Sequence, residues 1–136
     1  MRIALIYIVL AAAVAAFLSY VGPLPLYRKL HAQGVPIQGV VTRRECENHN
    51  SFQYHFEANG SSFEARGREG VSKSCQALVP GDSVEAYYFP GDPKVNMSGN
   101  PAAALRNELT SIVSAAVILP AIAVWSYIRR RRRNDA

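Results

Sequence analysis

Two stretches of the sequence contain no charged side chain at all: residues 3–21, IALIYIVLAAAVAAFLSYV, and residues 109–128, LTSIVSAAVILPAIAVWSYI. A helix on the surface of a soluble protein keeps one polar face, so these two runs argue strongly against a single soluble globule. Cysteine is scarce, with two in 136 residues, which excludes a disulfide-dense scaffold. Nine scattered glycines exclude collagen, and a hydrophobic share of 49% excludes a disordered chain. The acidic and basic residues between positions 22 and 108 balance at nine each, so the net charge of +5 arises at the two ends. What is there, then, is a small membrane protein with one polar domain between two apolar segments.

A helix of nineteen residues nearly spans a hydrocarbon core of roughly 30 Å. Arg2 and the small residues Ala13-Val14-Ala15 also fit a cleaved signal peptide, but the apolar run continues through Phe17, Leu18 and Val21, which favours an uncleaved signal-anchor. The second run matches one crossing, with Pro120 expected to kink it and Trp125 and Tyr127 at headgroup depth. Arg129, Arg130, Arg131, Arg132 and Arg133 follow at once. Their position beside an apolar twenty-mer reads as the positive-inside signal rather than as a nucleic-acid patch, and it puts both termini in the cytoplasm. The same five arginines are candidate contacts for membrane lipid headgroups. Neither run carries an ionisable group of the kind that transport or proton relay requires. Small residues recur at helical spacing, Ala12 with Ala16 and Ser111 with Ala115, where helices could approach closely.

The chain between reads in period two. Pro23 and Pro25 suggest an extended exit from the membrane, and 27–32 a short helical turn ending at Gly34. Strands are expected over 36–46, over 51–58 with Phe52, Tyr54 and Phe56 on one face, and over 62–67 with Phe63 and Ala65 inward. Asn59-Gly60 between the last two is a strong two-residue hairpin signal. A fourth strand at 84–89 places Val84, Ala86 and Tyr88 together, and 94–97 adds a short fifth. The fold class is therefore an α+β membrane protein: two transmembrane helices flanking a small antiparallel β domain of four to five strands, sandwich or barrel-like. Its segments are a signal-anchor at 1–21, a juxtamembrane linker at 22–35, an extracytoplasmic β domain at 36–98, a linker at 99–108, a second transmembrane helix at 109–128 and a basic cytoplasmic tail at 129–136.

The hairpin at Asn59-Gly60 and the pattern G-D-x-V-x-A-x-Y-x-P-x-x-P from Gly81 to Pro93 resemble a bacterial family of small membrane proteins, known only as a domain of unknown function. The resemblance covers about residues 36–98 and the flanking helices. It implies a β domain between two transmembrane helices, a bacterial setting, and a cysteine pair placed like Cys46 and Cys75. It brings no catalytic residues.

Motifs that carry chemistry are absent from the sequence: no G-x-S-x-G elbow, no H-E-x-x-H, no phosphate loop. Cys46, His49, His55 and Cys75 could form a two-Cys, two-His zinc set, but the alternation puts His55 opposite Phe52, Tyr54 and Phe56. An oxidising compartment would instead pair the cysteines, giving an expected Cys46–Cys75 disulfide with zinc ligation and free thiols as rivals. His31 has no evident partner. Glu45, Glu47, Glu57, Glu64 and Glu69 read as solvated positions opposing Arg43, Arg44, Arg66 and Arg68. Tyr87 and Phe89 fall on the outer face of the fourth strand, either as a partner patch or under the loop from Gly70 to Pro80. No catalytic residue, metal or cofactor is assigned. The expected function is a non-enzymatic, membrane-anchored binding or accessory module in the inner membrane, with lipids and an envelope protein as partners and no nucleic acid. The alternatives are a metal or ligand sensor, or an immunity-type protein against a secreted toxin.

Overall fold

The computed structural model describes residues 2–47 and 49–134. The chain divides into two compact units, residues 1–25 with 106–136, and residues 26–105.

The first unit holds α1 (Arg2–Val21) and most of α3 (Pro101–Asn134), both long and apolar enough to cross a membrane. Buried positions on α3 recur every four residues at Ile112, Ala116 and Pro120, and half-buried ones on α1 at Tyr7, Ala11, Val14, Ala15 and Leu18. The Tyr7 hydroxyl donates to the Val117 carbonyl at 3.1 Å, in the turn before Pro120. Ala12, Ala16 and Ser111 are exposed, one position away from the covered stripes, and only Ala115 of the small residues singled out above is half-buried.

The linkers expected at each end of the β domain are helical. α2 (Leu24–Gln33) takes in Pro25, one of the two prolines read as an extended exit, because it falls in the first turn, where its missing N–H costs nothing. α3 begins at Pro101 for the same reason. Asn100 caps it, its Oδ1 accepting from the N–H groups of Ala102 at 2.9 Å and Ala103 at 3.3 Å. The apolar stretch 109–128 is thus the middle of a 34-residue helix.

The second unit is a nearly closed five-stranded antiparallel sheet. Its strands are β1 (Val35–Glu45), β2 (Ser51–Ala58), β3 (Ser61–Gly67), β4 (Ser83–Phe89) and β5 (Asp92–Ser98), in the spatial order β3-β2-β1-β4-β5. Asn59 (φ 52°) and Gly60 (φ 75°) form the hairpin turn and hold Phe56 opposite Phe63. The expected inward face is the observed core: Val41, Phe52, Tyr54, Phe56, Val84 and Ala86 are buried, with Ile37, Phe63, Ala65 and Tyr88 packed against them. Phe56 lies 5.6 Å from Phe63 and 6.0 Å from Tyr88, ring centre to ring centre, so one aromatic stack crosses from β3 to β4.

Closure comes from side chains at three levels along the seam between β3 and β5. At one rim the Ser98 hydroxyl accepts from the N–H groups of Arg68 (3.2 Å) and Glu69 (3.4 Å), and Gly67 lets it approach, since a Cβ there would collide with Ser98 Oγ. Midway, the buried Tyr54 hydroxyl donates to Asn96 Oδ1 at 3.1 Å, while the Asn96 amide nitrogen is held by the carbonyls of Pro93 and Lys94. At the other rim Asn59 Nδ2 donates to the Pro90 carbonyl at 3.2 Å, tying the β2–β3 turn to the β4–β5 turn.

Two outcomes are expected of the full-length protein in micelles. Gly60→Val should destabilise it by about 1 kcal/mol or more, because a β-branched residue resists positive φ. An added Cβ at Gly60 meets nothing within 4 Å, so the cost is purely that of the backbone. An unchanged melting temperature would contradict the turn.

Burial pushes the Tyr54 phenol up from 10.0 to about 12. A group whose folded-state pKa is raised contributes stability that is fully present below its unfolded value and lost as pH rises through the folded one. Between pH 10 and about 12 the barrel should therefore lose on the order of 2 to 3 kcal/mol. The phenolate absorbance lost in Tyr54→Phe, taken as the difference from the wild type, should titrate at about pH 12, and a difference that titrates near pH 10 would overturn the assignment.

Candidate functional site

The residues with the most chemistry gather at the end of the barrel where β1 runs into its turn. Cys46, just past β1, is disulfide-bonded to Cys75 at the start of a single 3₁₀ turn (Cys75–Ala77), with a Cα–Cα distance of 5.6 Å. The bond ties the long connection between β3 and β4 to the sheet. Arg44 reinforces it: its guanidinium donates to the Gln76 carbonyl at 2.8 Å and to the Leu78 carbonyl at 3.5 Å. Arg44 reaches that position because β1 carries an irregularity between Val41 and Arg43, which puts Arg44 opposite the inward-facing Phe52. The charge alternation had suggested a merely solvated arginine here; the bulge re-aims it.

The rest of the connection is fastened as firmly. Leu78 is buried in the core and Val71 packs against it. Lys73 pairs with Asp82 at 2.6 Å, and the other carboxylate oxygen accepts from the Val79 N–H at 2.9 Å. The hydrogen bond from Lys73, then that from Val79, holds the Asp82 carboxyl below the usual carboxylate range. Its contribution is present above pH about 4 and lost as pH falls through the lowered value. Gly70, at φ +85°, places its carbonyl on the Glu85 N–H at 2.8 Å and continues the ladder beyond β5.

Two open clefts flank the disulfide. One of about 660 Å³ is lined by Arg43, Arg44, Glu45, Cys46, Glu47 and Gln76. The other, of about 460 Å³, is lined by residues including Phe52, Arg68, Glu69, Lys73, Ser74 and Gln76. Their ionic groups are already engaged in part. Glu45 forms an ion pair with Arg66 and accepts from Gln53 Nε2 at 2.6 Å, and Arg44 and Lys73 hold the loop. Such mixed-sign surfaces suit contact with a polar partner better than capture of a small charged substrate.

The zinc set does not assemble. Its cysteines are bonded to each other, His49 is exposed in the turn after β1, and His55 is half-buried on β2 between Val40 and Glu64. Among the described residues, no group of three or more His, Cys, Asp or Glu side chains is arranged to hold a metal ion. His31 is exposed near the end of α2.

Tyr87 and Phe89 are half-buried rather than bare. The cover over Phe89 comes from α2: Lys29 Nζ stands 3.8 Å from its ring centre, while Gly91 leaves room beside the ring. The Tyr87 hydroxyl donates to Glu85 Oε1 at 3.3 Å, and partial burial together with the Glu85 carboxylate pushes its phenol up. A basic side chain six residues before the first strand carries no signal for that contact in the sequence. Comparison with protein-family models, curated proteins and solved structures found no match.

The disulfide closes a sequence separation of 29 residues, which removes up to about 3.6 kcal/mol of unfolded-chain entropy. Alkylation of denatured, unreduced protein, quenched in acid from cells, is expected to modify neither cysteine. Cys46→Ala with Cys75→Ala should lower the melting temperature and expose the connection to proteolysis. Two modified cysteines in the wild-type chain would refute the bond.

Proposed function

We propose that this chain is a non-enzymatic accessory module anchored in the bacterial inner membrane by α1 and α3, which presents its barrel outside the cytoplasm to a protein or envelope component. The observation that carries the reading is the Cys46–Cys75 pair at the barrel end: a disulfide persists in an oxidising compartment and is rare in the cytosol. The arginines in the last turns of α3 support the same sidedness independently, through the positive-inside rule. The filled barrel interior, in which Phe52, Tyr54, Val84 and Ala86 are wholly covered, favours recognition at the surface over binding within. A metal-sensing role loses support because the disulfide occupies both sulfur ligands. An immunity-type role against a secreted toxin is one form of the same binding function.

The test is a pair of C-terminal fusions, one to a reporter active only in the cytoplasm and one to a reporter active only outside it. The first should be active and the second silent. The reverse result, with intact protein, would sink the topology. Crosslinking in intact cells through a photoreactive residue at position 43 or 47 should then capture an envelope partner. Capture of cytosolic proteins instead would argue against an external barrel.

A further inference from the structure

The far end of α3 carries a shaped groove as well as a charge run. Trp125, Ser126, Arg129, Arg130 and Arg133 line a depression of about 210 Å³, and no acidic side chain is among them. Steps of three, four and seven residues from Ser126 bring Arg129, Arg130 and Arg133 onto one helix face. Arg131 and Arg132 lie outside that lining. The Arg129 guanidinium stands 5.4 Å above the Trp125 ring, a cation–π contact that orients a side chain otherwise free to wander. Trp125 itself stays 60% exposed.

We infer that this groove binds the phosphate of an anionic phospholipid headgroup, with Arg130 and Arg133 as its principal donors, Arg129 held against Trp125 at its side and the Ser126 hydroxyl at its floor. Guanidinium groups bind phosphate through paired N–H donors, and three on one face supply a convergent set that a random run does not. The carbonyl end of a helix repels anions, so a phosphate settles here only where several arginines outweigh that field. The membrane is the favoured source of the anion over free phosphate because the groove directly follows twenty charge-free residues and is walled by an exposed tryptophan, the side chain that favours the headgroup zone.

This inference rests on α3 crossing a membrane, and the experiment separates the two. Trp125 is the only tryptophan in the chain, so intrinsic emission reports on the groove alone. Full-length protein in neutral detergent is titrated with short-chain phosphatidylglycerol, short-chain phosphatidylcholine and inorganic phosphate. A saturable emission change is expected with phosphatidylglycerol and at least roughly tenfold weaker binding of the other two. Two variants of equal charge loss decide the site. Arg130→Gln with Arg133→Gln should weaken phosphatidylglycerol binding about tenfold or more, and Arg131→Gln with Arg132→Gln less than about threefold. Equal weakening by both pairs, or inorganic phosphate binding as tightly as the lipid, would overturn the groove. Release of the wild-type chain from membranes by alkaline wash would instead defeat the spanning reading. Both variants keep Arg129 beside Trp125, and thermal melting of the barrel serves as their folding control.

Discussion

A sheet of five short strands with aromatic residues on one face can hide them only by curling until its edges meet. Here the inward face carries Phe52, Tyr54, Phe56 and Phe63 on neighbouring strands, and no helix is inserted among them. Curvature must therefore do the work that a second layer does in a sandwich. The edges β3 and β5 do not join through a regular ladder. They are drawn together by Ser98 at one rim, Tyr54 with Asn96 in the middle, and Asn59 with Pro90 at the other. The first two use polar groups that would be costly to bury unpaired, so closure and polar satisfaction coincide there, while the exposed Asn59–Pro90 bond ties the two turns together.

The long connection after β3 follows from that geometry. It covers the end of the barrel that the strands leave open, with Leu78 as the plug and Val71 beside it. A loop in this position has few ladder bonds of its own, and its fixation comes from unlike interactions: a covalent bond at Cys75, a guanidinium on two carbonyls, an ion pair from Lys73 to Asp82, and Gly70 inserted against Glu85. A domain of this size sits near the limit of what one core can stabilise alone, so such staples carry a large share of the net stability. The exposed surface around the two clefts is thus built on a heavily fastened part of the chain.

How far the sequence discloses this depends on the range of the interaction. Alternation places β2 at 51–58 without error and puts Phe52, Tyr54 and Phe56 inside, because period-two burial is a local pattern. The hairpin at Asn59-Gly60 is equally legible, since positive φ is written into the residue types. Helix bounds are less so. Pro25 reads as part of an extended exit and in fact lies in the first turn of α2, and the linker expected at 99–108 is helical from Pro101. Contacts between distant segments are not visible at all. Nothing in the local pattern says that Arg44 reaches past its strand to Gln76, or that Lys29 covers Phe89. The cysteine pair was legible because only one pairing exists among two cysteines.

The disulfide and the arginine run place opposite demands on their surroundings, and on the proposed topology both are met. A disulfide that secures the plug of the barrel is lost in a reducing compartment, and the connection would then depend on Arg44 and Lys73, both substantially open to water, and on the partly covered Asp82. A run of arginines is poorly translocated and most stable beside the cytoplasmic leaflet, where anionic lipids concentrate. Inverting the chain would weaken both features at once: the barrel would lose its covalent staple, and the arginines would lose their attractive surface. The charge-balanced middle, nine acidic against nine basic residues, tolerates either side and adds no opposing preference. On the proposed topology the disulfide's chemistry and the electrostatics of the arginine run favour the same sidedness, with the barrel's own surface charge indifferent between them.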